Sequence, residues 1–392
     1  MIYDVIVIGA GAAGLFAAYS AKLRQKKILI LESNSRPGLK ILISGGGRCN
    51  FTNLNITSKD FVSNNPHFCK SALTQFTQND FIHLVEEAGI SFYEKTLGQL
   101  FCTHTSKEIL GLLLKKIGDT ELKTEALVQS VTHQENIFSV ETNQGLFKSK
   151  NLIVATGGLS IPKLGASDLG YKIAQQFGHT IIKLSPALDG FVYNTSEASF
   201  FKGLEGISLL ATLKINKREF TENILFTHQG ISGPAALKAS LFWEEGQELE
   251  INFLPSLSDF ISWIKDQRNE HPKKTISSVL SFILPAHFCE KVIKKCLDSD
   301  IKMAEISNEQ IKNLDAFLKR WKWIPFETVG YAKAEVTRGG VDTKDISSQT
   351  MESKLVPGLY FVGEVLDVTG LLGGYNFQWA WSSGWVAGKS VE

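Results

Sequence analysis

The chain has 392 residues, 43% hydrophobic and 21% charged, the composition of a globular protein long enough for two or three domains. Its 41 Lys plus Arg stand against 40 Asp plus Glu, so the molecule as a whole lacks the strongly basic balance of a nucleic-acid binder, and any nucleic acid must meet a local patch. Five cysteines (Cys49, Cys69, Cys102, Cys289 and Cys296), odd in number and without paired ligand spacing, argue against a disulfide framework or metal site and for a reducing cytoplasm.

The most apolar stretch, Val5 to Ala21, is interrupted by three glycines and preceded by Asp4. It therefore reads as strand, turn and helix, not as a signal peptide or membrane span, and no other segment approaches membrane-spanning length. Tyr3 to Ile8 is the strand, the alanine-rich run from Leu15 the helix, and Lys27 to Glu32 the next strand, a βαβ unit with uniformly apolar strands. A glycine-rich loop over 36–53 follows, then helices near 68–89 and 105–117. Strands are predicted at Leu127–Val131, Ile137–Thr142 and Asn151–Thr156. Short strand-like runs such as those at 207–215 and 248–254 predict a small β domain over 190–255, and longer amphipathic patterns a helical subdomain over 256–325. Strand character returns from Phe326. The prediction is an α/β fold whose first domain, 1–189 and 326–392, is interrupted by the β and helical pieces.

Gly9, Gly11 and Gly14 form G-x-G-x-x-G between a predicted strand and a predicted helix, with Glu32 closing the next strand. This is a dinucleotide-binding arrangement: glycines give the tight turn, the backbone approach and the close helix packing, helix amides meet the pyrophosphate, and the acid takes the ribose. The motif alone does not separate NAD from FAD. Two further segments favour FAD in a Rossmann-type, glutathione-reductase-like domain. In 363–378, Gly363 ends a buried strand, Asp367 can reach the ribitol hydroxyls, and Gly374 opens the last helix, whose N-terminus can face the flavin edge. Thr156 and Gly157 follow another buried strand and return the chain towards the cofactor.

Gly45, Gly46 and Gly47 expose backbone amides to a phosphate or a flavin ring, Arg48 adds charge, and Asn50 and Asn53 offer directional hydrogen bonds. Cys49 has no C-x-x-C partner and reads as a packed, reduced thiol near the flavin. His228 is a candidate proton donor, with a locally satisfied histidine as the alternative. In the helical piece, Lys319, Arg320, Trp321, Lys322 and Trp323 interleave cations with rings that can grip phosphates and stack bases; a solvated helix face is the plainer reading.

The blocks GAGAAG (9–14), ILISGGGRCNFTN (41–53), ATGGLSIPKLGASDLGY (155–171), FTHQGISGP (226–234) and the long block 350–384 closely resemble the BaiN/RdsA-like (YhiN-type) family of NAD(P)/FAD-dependent oxidoreductases, in family order over nearly the whole chain. The stretch PGLK at 37–40 lacks the arginine more usual before the lysine, and Cys102 stands where a proline is usual. The resemblance implies FAD contacts at Gly9, Gly11, Ala12, Ala13, Gly14, Glu32, Lys40, Gly45, Gly46, Gly47, Arg48, Cys49, Asn50, Val128, Thr156, Gly157, Gly363, Glu364, Asp367, Gly374, Tyr375 and Asn376, with His228 and Asn50 as candidate catalytic residues. It also implies hydride from NADH or NADPH, bound transiently because no second G-x-G-x-x-G is present, and no metal. The family's acceptors are C=C bonds conjugated to a carbonyl: a uridine of 23S ribosomal RNA, reduced to dihydrouridine, or unsaturated bile-acid steroids. Ribosomal RNA is the expected partner here; a small-molecule enone reductase and a non-catalytic flavin redox sensor are the alternatives.

Overall fold

In the computed structural model, which describes residues 1–297 and 299–392, the strand Ile2–Ile8 lies between Ile28–Leu31 and Gly145–Val154, parallel to both. Glu121–Lys123 extends this sheet on one side and Leu359–Phe361 pairs in parallel with the end of Gly145–Val154 on the other. All four residues of Ile28–Leu31 are buried, as expected of a parallel strand covered on both faces. The first half of Gly145–Val154 pairs instead with Ile137–Thr142, which pairs with Val128–Gln134, both antiparallel, forming a meander on the same sheet. The expected βαβ start is thus present, and the chain returns after position 359 to complete the sheet.

The first helix, Ala12–Lys22, packs on the last, Tyr375–Ser390. A β-carbon on Gly384 would lie 2.5 Å from the Ala13 carbonyl oxygen, and one on Gly388 2.2 Å from that of Ala17. Small residues four apart on the last helix therefore let the two backbones meet. Among the described residues, no helix is long and apolar enough to cross a membrane.

The chain divides into two compact units, Met1–Pro186 with Glu335–Glu392, and Ala187–Ala334. The second unit holds a seven-stranded sheet in the order Trp321–Trp323, Leu249–Asn252, Ser208–Ile215, Arg218–Phe226, Gly230–Ser232, Phe191–Val192, Glu327–Thr328. Leu209, Ala211, Leu213 and Ile215 alternate inward from the strand Ser208–Ile215. One hydrophobic cluster joins these to Ile264, Val292 and Leu314 of the helices Phe260–Glu270, Ala286–Cys296 and Asn308–Arg320. The β piece expected over 190–255 and the helical piece expected over 256–325 therefore share a single core. Trp321–Trp323, the end of the helical stretch in sequence, is an edge strand of the sheet, with Ile251 opposite Trp321 and Leu249 opposite Trp323.

Candidate functional site

The turn after Ile2–Ile8 is built by glycines with distinct duties. Gly9 has φ +103°, and a β-carbon there would lie 2.5 Å from the Ala155 carbonyl oxygen. On Gly14 it would lie 1.9 Å from the carbonyl oxygen of Gly9. Both positions are fixed by the chain's own packing. Gly11 differs: its φ is −80°, and an added β-carbon would meet nothing within 4 Å. It begins the helix Ala12–Lys22, which has no side-chain cap, so the amides of Ala12, Ala13 and Gly14 form an uncapped N-terminus beside open space. Glu32, 7% exposed, accepts the Ala10 amide at 2.7 Å through Oε2 and the Asn34 amide at 2.9 Å through Oε1. The acid therefore pins the glycine turn from below. The Ala126 amide donates to the Glu32 carbonyl at 2.9 Å, laying the segment that leads to Val128 alongside.

The segment read as a loop over 36–53 contains a kinked helix, Leu39–Gly47, started by the Gly38 amide bonding the Ala10 carbonyl at 2.9 Å. Gly45, Gly46 and Gly47 have φ of +58°, +66° and +83°. Three consecutive left-handed residues suit glycine alone. A β-carbon on Gly45 would strike Phe101, whereas Gly46 and Gly47 face open space. Arg48 is exposed, with Nη1 3.2 Å from the Tyr93 hydroxyl.

Lys40 and Glu364 form an ion pair at 2.9 Å, and the Lys40 ammonium donates to Ser160 Oγ at 2.6 Å. Glu364 Oε1 accepts from Ser160 Oγ at 3.0 Å and from the Thr337 amide at 2.9 Å. Four separate segments meet at this knot. Neither Ser160 nor Thr337 was singled out from the sequence, although Ser160 lies in the ATGGLS block. Gly363, φ +73°, abuts the first helix: a β-carbon there would come 2.8 Å from Ala13 Cβ. Thr156 and Gly157 lie beside the same turn, the Thr156 Cα being 3.4 Å from a β-carbon built on Gly9. Open glycines, uncapped helix amides and a buried acid at one strand edge together fit the pyrophosphate and ribose of a dinucleotide.

Three residues expected to face the cofactor are engaged internally. Asp367, 3% exposed, accepts the Asn64 amide at 2.8 Å, and burial raises its carboxyl above the ordinary range. It holds the 63–64 loop; Glu364, three residues beyond the strand Leu359–Phe361, is the acid nearer that strand's end. Asn376 closes its own loop, accepting from the Gly370 amide at 2.8 Å and donating to the Gly370 carbonyl at 2.9 Å. The Asn50 amide, once its oxygen and nitrogen are assigned to match their neighbours, accepts the Gly374 amide at 3.1 Å and donates to the carbonyls of Thr52 and Leu100. In that orientation its amide is a clip between strands and helix. Gly374 itself, φ +97°, would place a β-carbon 2.4 Å from the Thr52 carbonyl oxygen, and the neighbouring Tyr375 is buried.

Cys49 is fully buried, and burial pushes its thiol up to about 12; Cys102 is likewise buried and pushed up to about 12. In the second unit, His228 sits on the turn between Arg218–Phe226 and Gly230–Ser232, highly exposed, with Nδ1 3.7 Å from Glu205 Oε1. Thr227 Oγ1 clamps this turn by accepting the Gln229 and Gly230 amides.

The basic aromatic segment is used differently from the expectation. Trp323 is 2% exposed, packed edge-on to Phe191, and belongs to the core. The Lys319 ammonium is spent on the carbonyls of Leu254 and Leu257. Arg320 pairs with Asp315 and Lys322 with Glu248, each at 2.9 Å, yet both cations remain exposed. Base stacking by Trp323 and phosphate binding by Lys319 are thereby ruled out by burial and by prior bonding.

The family model described as HI0933-like protein Rossmann domain matches residues 3–390. The chain belongs to this family. A ribosomal RNA dihydrouridine synthase of Escherichia coli K12 is 43% identical over 392 residues, covering 99% of this chain and 98% of the relative. One of Haemophilus influenzae is 45% identical over 394 residues, with 99% and 98% covered. A 3-dehydro-bile acid delta(4,6)-reductase of Clostridium scindens is 28% identical over 404 residues, with 98% of each chain covered. Membership in this family accounts for the motif order along the whole chain.

Proposed function

We propose that the protein is an oxidoreductase that holds FAD non-covalently in its first unit and, with NADH or NADPH as reductant, reduces a uridine of ribosomal RNA to dihydrouridine. The supporting observation is near-complete coverage at 43% and 45% identity by two relatives named for that reaction. Reduction adds a hydride and a proton across the uracil C5=C6 bond, which is conjugated to the C4 carbonyl. The hydride chemistry is what a bound flavin supplies. The chain's own residues bind and orient: the amides at Ala12 to Gly14 take the pyrophosphate, Gly11 admits it, and Glu32 takes the adenosine ribose. Gly46 and Gly47 allow close approach of the cofactor. Glu364, held by Lys40 and Ser160, fixes the strand end beside Ala13.

Mass spectrometry of ribosomal RNA from cells with and without the gene tests this reading. Loss of one dihydrouridine from large-subunit RNA, restored by the gene, is the expected result; an unchanged nucleoside profile overturns the RNA substrate. The relative named as a bile-acid reductase favours a second reading, a small-molecule enone reductase. Turnover of a steroid enone, without RNA modification, would establish it.

A further inference from the structure

We propose that an open depression on the second unit binds one nucleotide of single-stranded RNA. The inference rests on the reading of RNA as substrate and adds a place where it is gripped. The depression, about 330 Å³, lies where the end of Ala286–Cys296, one face of Asn308–Arg320 and the strand Trp321–Trp323 converge.

Its lining combines three cations, Lys295, Arg320 and Lys322, with two rings, Phe317 and Trp321, and among the described residues contains no carboxylate. Asn313, Phe317 and Arg320 stand at i, i+4 and i+7 on the helix and so share one face. The acids that pair with Arg320 and Lys322, Asp315 and Glu248, lie outside the lining. Surface ion pairs of that kind are weak, so both cations can turn to a phosphate. Trp321 is held rigidly: its ring is parallel to that of Trp323 within 6° and packs near Phe253 and Phe317. It is nonetheless only half-buried and faces the depression.

A fixed ring beside several cations matches the two parts of a nucleotide, a base with a π-face and an anionic phosphate. An acidic peptide would use the cations and leave the rings without purpose. In a chain whose overall charge is only +1, such a local concentration is what RNA affinity requires.

The test uses the full chain with its bound cofactor and a fluorescent oligouridylate, with anisotropy titrations over a range of salt. Lys295→Ala and Lys322→Ala should each reduce the salt slope by roughly 0.7. Ala316→Glu puts a carboxylate into the lining from an exposed helix position. It should weaken binding at low salt by about tenfold through repulsion of phosphate, with melting temperature and flavin content as in the parent. Variants that match the parent in affinity and slope overturn the site while leaving the RNA reading intact. A parent that does not bind the oligouridylate even at low salt overturns the site as well, whereas the RNA reading falls only if the nucleoside profile of ribosomal RNA is also unchanged without the gene. Displacement of the probe by polyglutamate as readily as by unlabelled oligouridylate would make this an acidic-peptide site and overturn the nucleotide assignment.

Discussion

Gly14 lies so close beneath Gly9 that a β-carbon on it would sit 1.9 Å from the Gly9 carbonyl oxygen, whereas the second glycine of the motif, Gly11, has no protein neighbour for such an atom within 4 Å. The two positions should therefore separate folding from cofactor binding. Gly11→Val, at a φ that any residue accepts, should fold with a stability change of about 1 kcal/mol and lose its flavin. Gly14→Val should not give folded protein. Absorbance of the purified variant and its thermal melt check this, and full flavin content in Gly11→Val would remove the turn from the cofactor site.

Tyr193 carries a hydroxyl without a hydrogen-bond partner among the described residues, in a side chain only 7% exposed. Its ring stacks on Phe201 at 5.3 Å and lies 5.7 Å from that of Trp323. Tyr193→Phe keeps the ring and removes an unsatisfied group, so stability should hold or rise by up to about 1 kcal/mol. Tyr193→Ala removes the ring and should cost about 3–5 kcal/mol. Urea midpoints of the two variants decide; a clear loss in Tyr193→Phe would show that the hydroxyl has a partner after all.

His179 is 3% exposed, and burial lowers its pKa, with Asp345 acting weakly in the opposite sense. Ser353 Oγ accepts the Leu355 and Val356 amides at 3.0 Å, so its own proton points to His179 Nε2, 2.8 Å away. The ring is thus an acceptor at Nε2, a state that protonation destroys. Because the folded pKa lies below the unfolded value of about 6.5, the histidine's stabilising effect is complete above that pH and is lost as pH falls through the folded value. Between pH 7 and 5 the parent should lose stability faster than His179→Gln, by at most about 1.4 kcal/mol per pH unit. Parallel pH slopes in denaturant melts would assign the titration elsewhere.

Thiols pushed up to about 12, as at Cys49 and Cys102, hold almost no thiolate at neutral pH. Native protein should leave both unlabelled by a disulfide reagent that reacts with all five cysteines after unfolding. Cys49→Ser should keep its flavin. Peptide mapping of the labelled protein reads the first outcome, and rapid native labelling of Cys49 would reverse its assignment as an inert, packed thiol.

The parts of the fold legible in the sequence were those where one physical rule acts alone. The strand Ile2–Ile8, the glycine turn and the helix Ala12–Lys22 follow from an apolar run, a steric need and a helical period within some twenty residues. The helix Leu39–Gly47 was hidden because three left-handed glycines end it, and glycines in sequence signal a loop. Trp321–Trp323 did carry a strand signal, period-two alternation of ring, cation, ring, but it follows a helix without a break and was read as that helix's polar face. At the site, Asn50, Asp367 and Asn376 show the other limit. A polar side chain near a cofactor motif has the same letter whether it faces the ligand or bonds the next loop, and only the closed backbone reveals which carbonyls and amides it must satisfy.

The close packing of Ala13 and Ala17 against Gly384 and Gly388 sets an order on biosynthesis. The sheet begun at Ile2 needs the strand Leu359–Phe361 and the helix Tyr375–Ser390, so the unit that leaves the ribosome first is completed last. The unit from Ala187 to Ala334, with its own core, has all its residues earlier and can fold while its host still waits for a partner helix. During that interval the part of Ala12–Lys22 that the last helix covers has no partner, which makes the incomplete chain, rather than the finished protein, the species most in need of protection from aggregation.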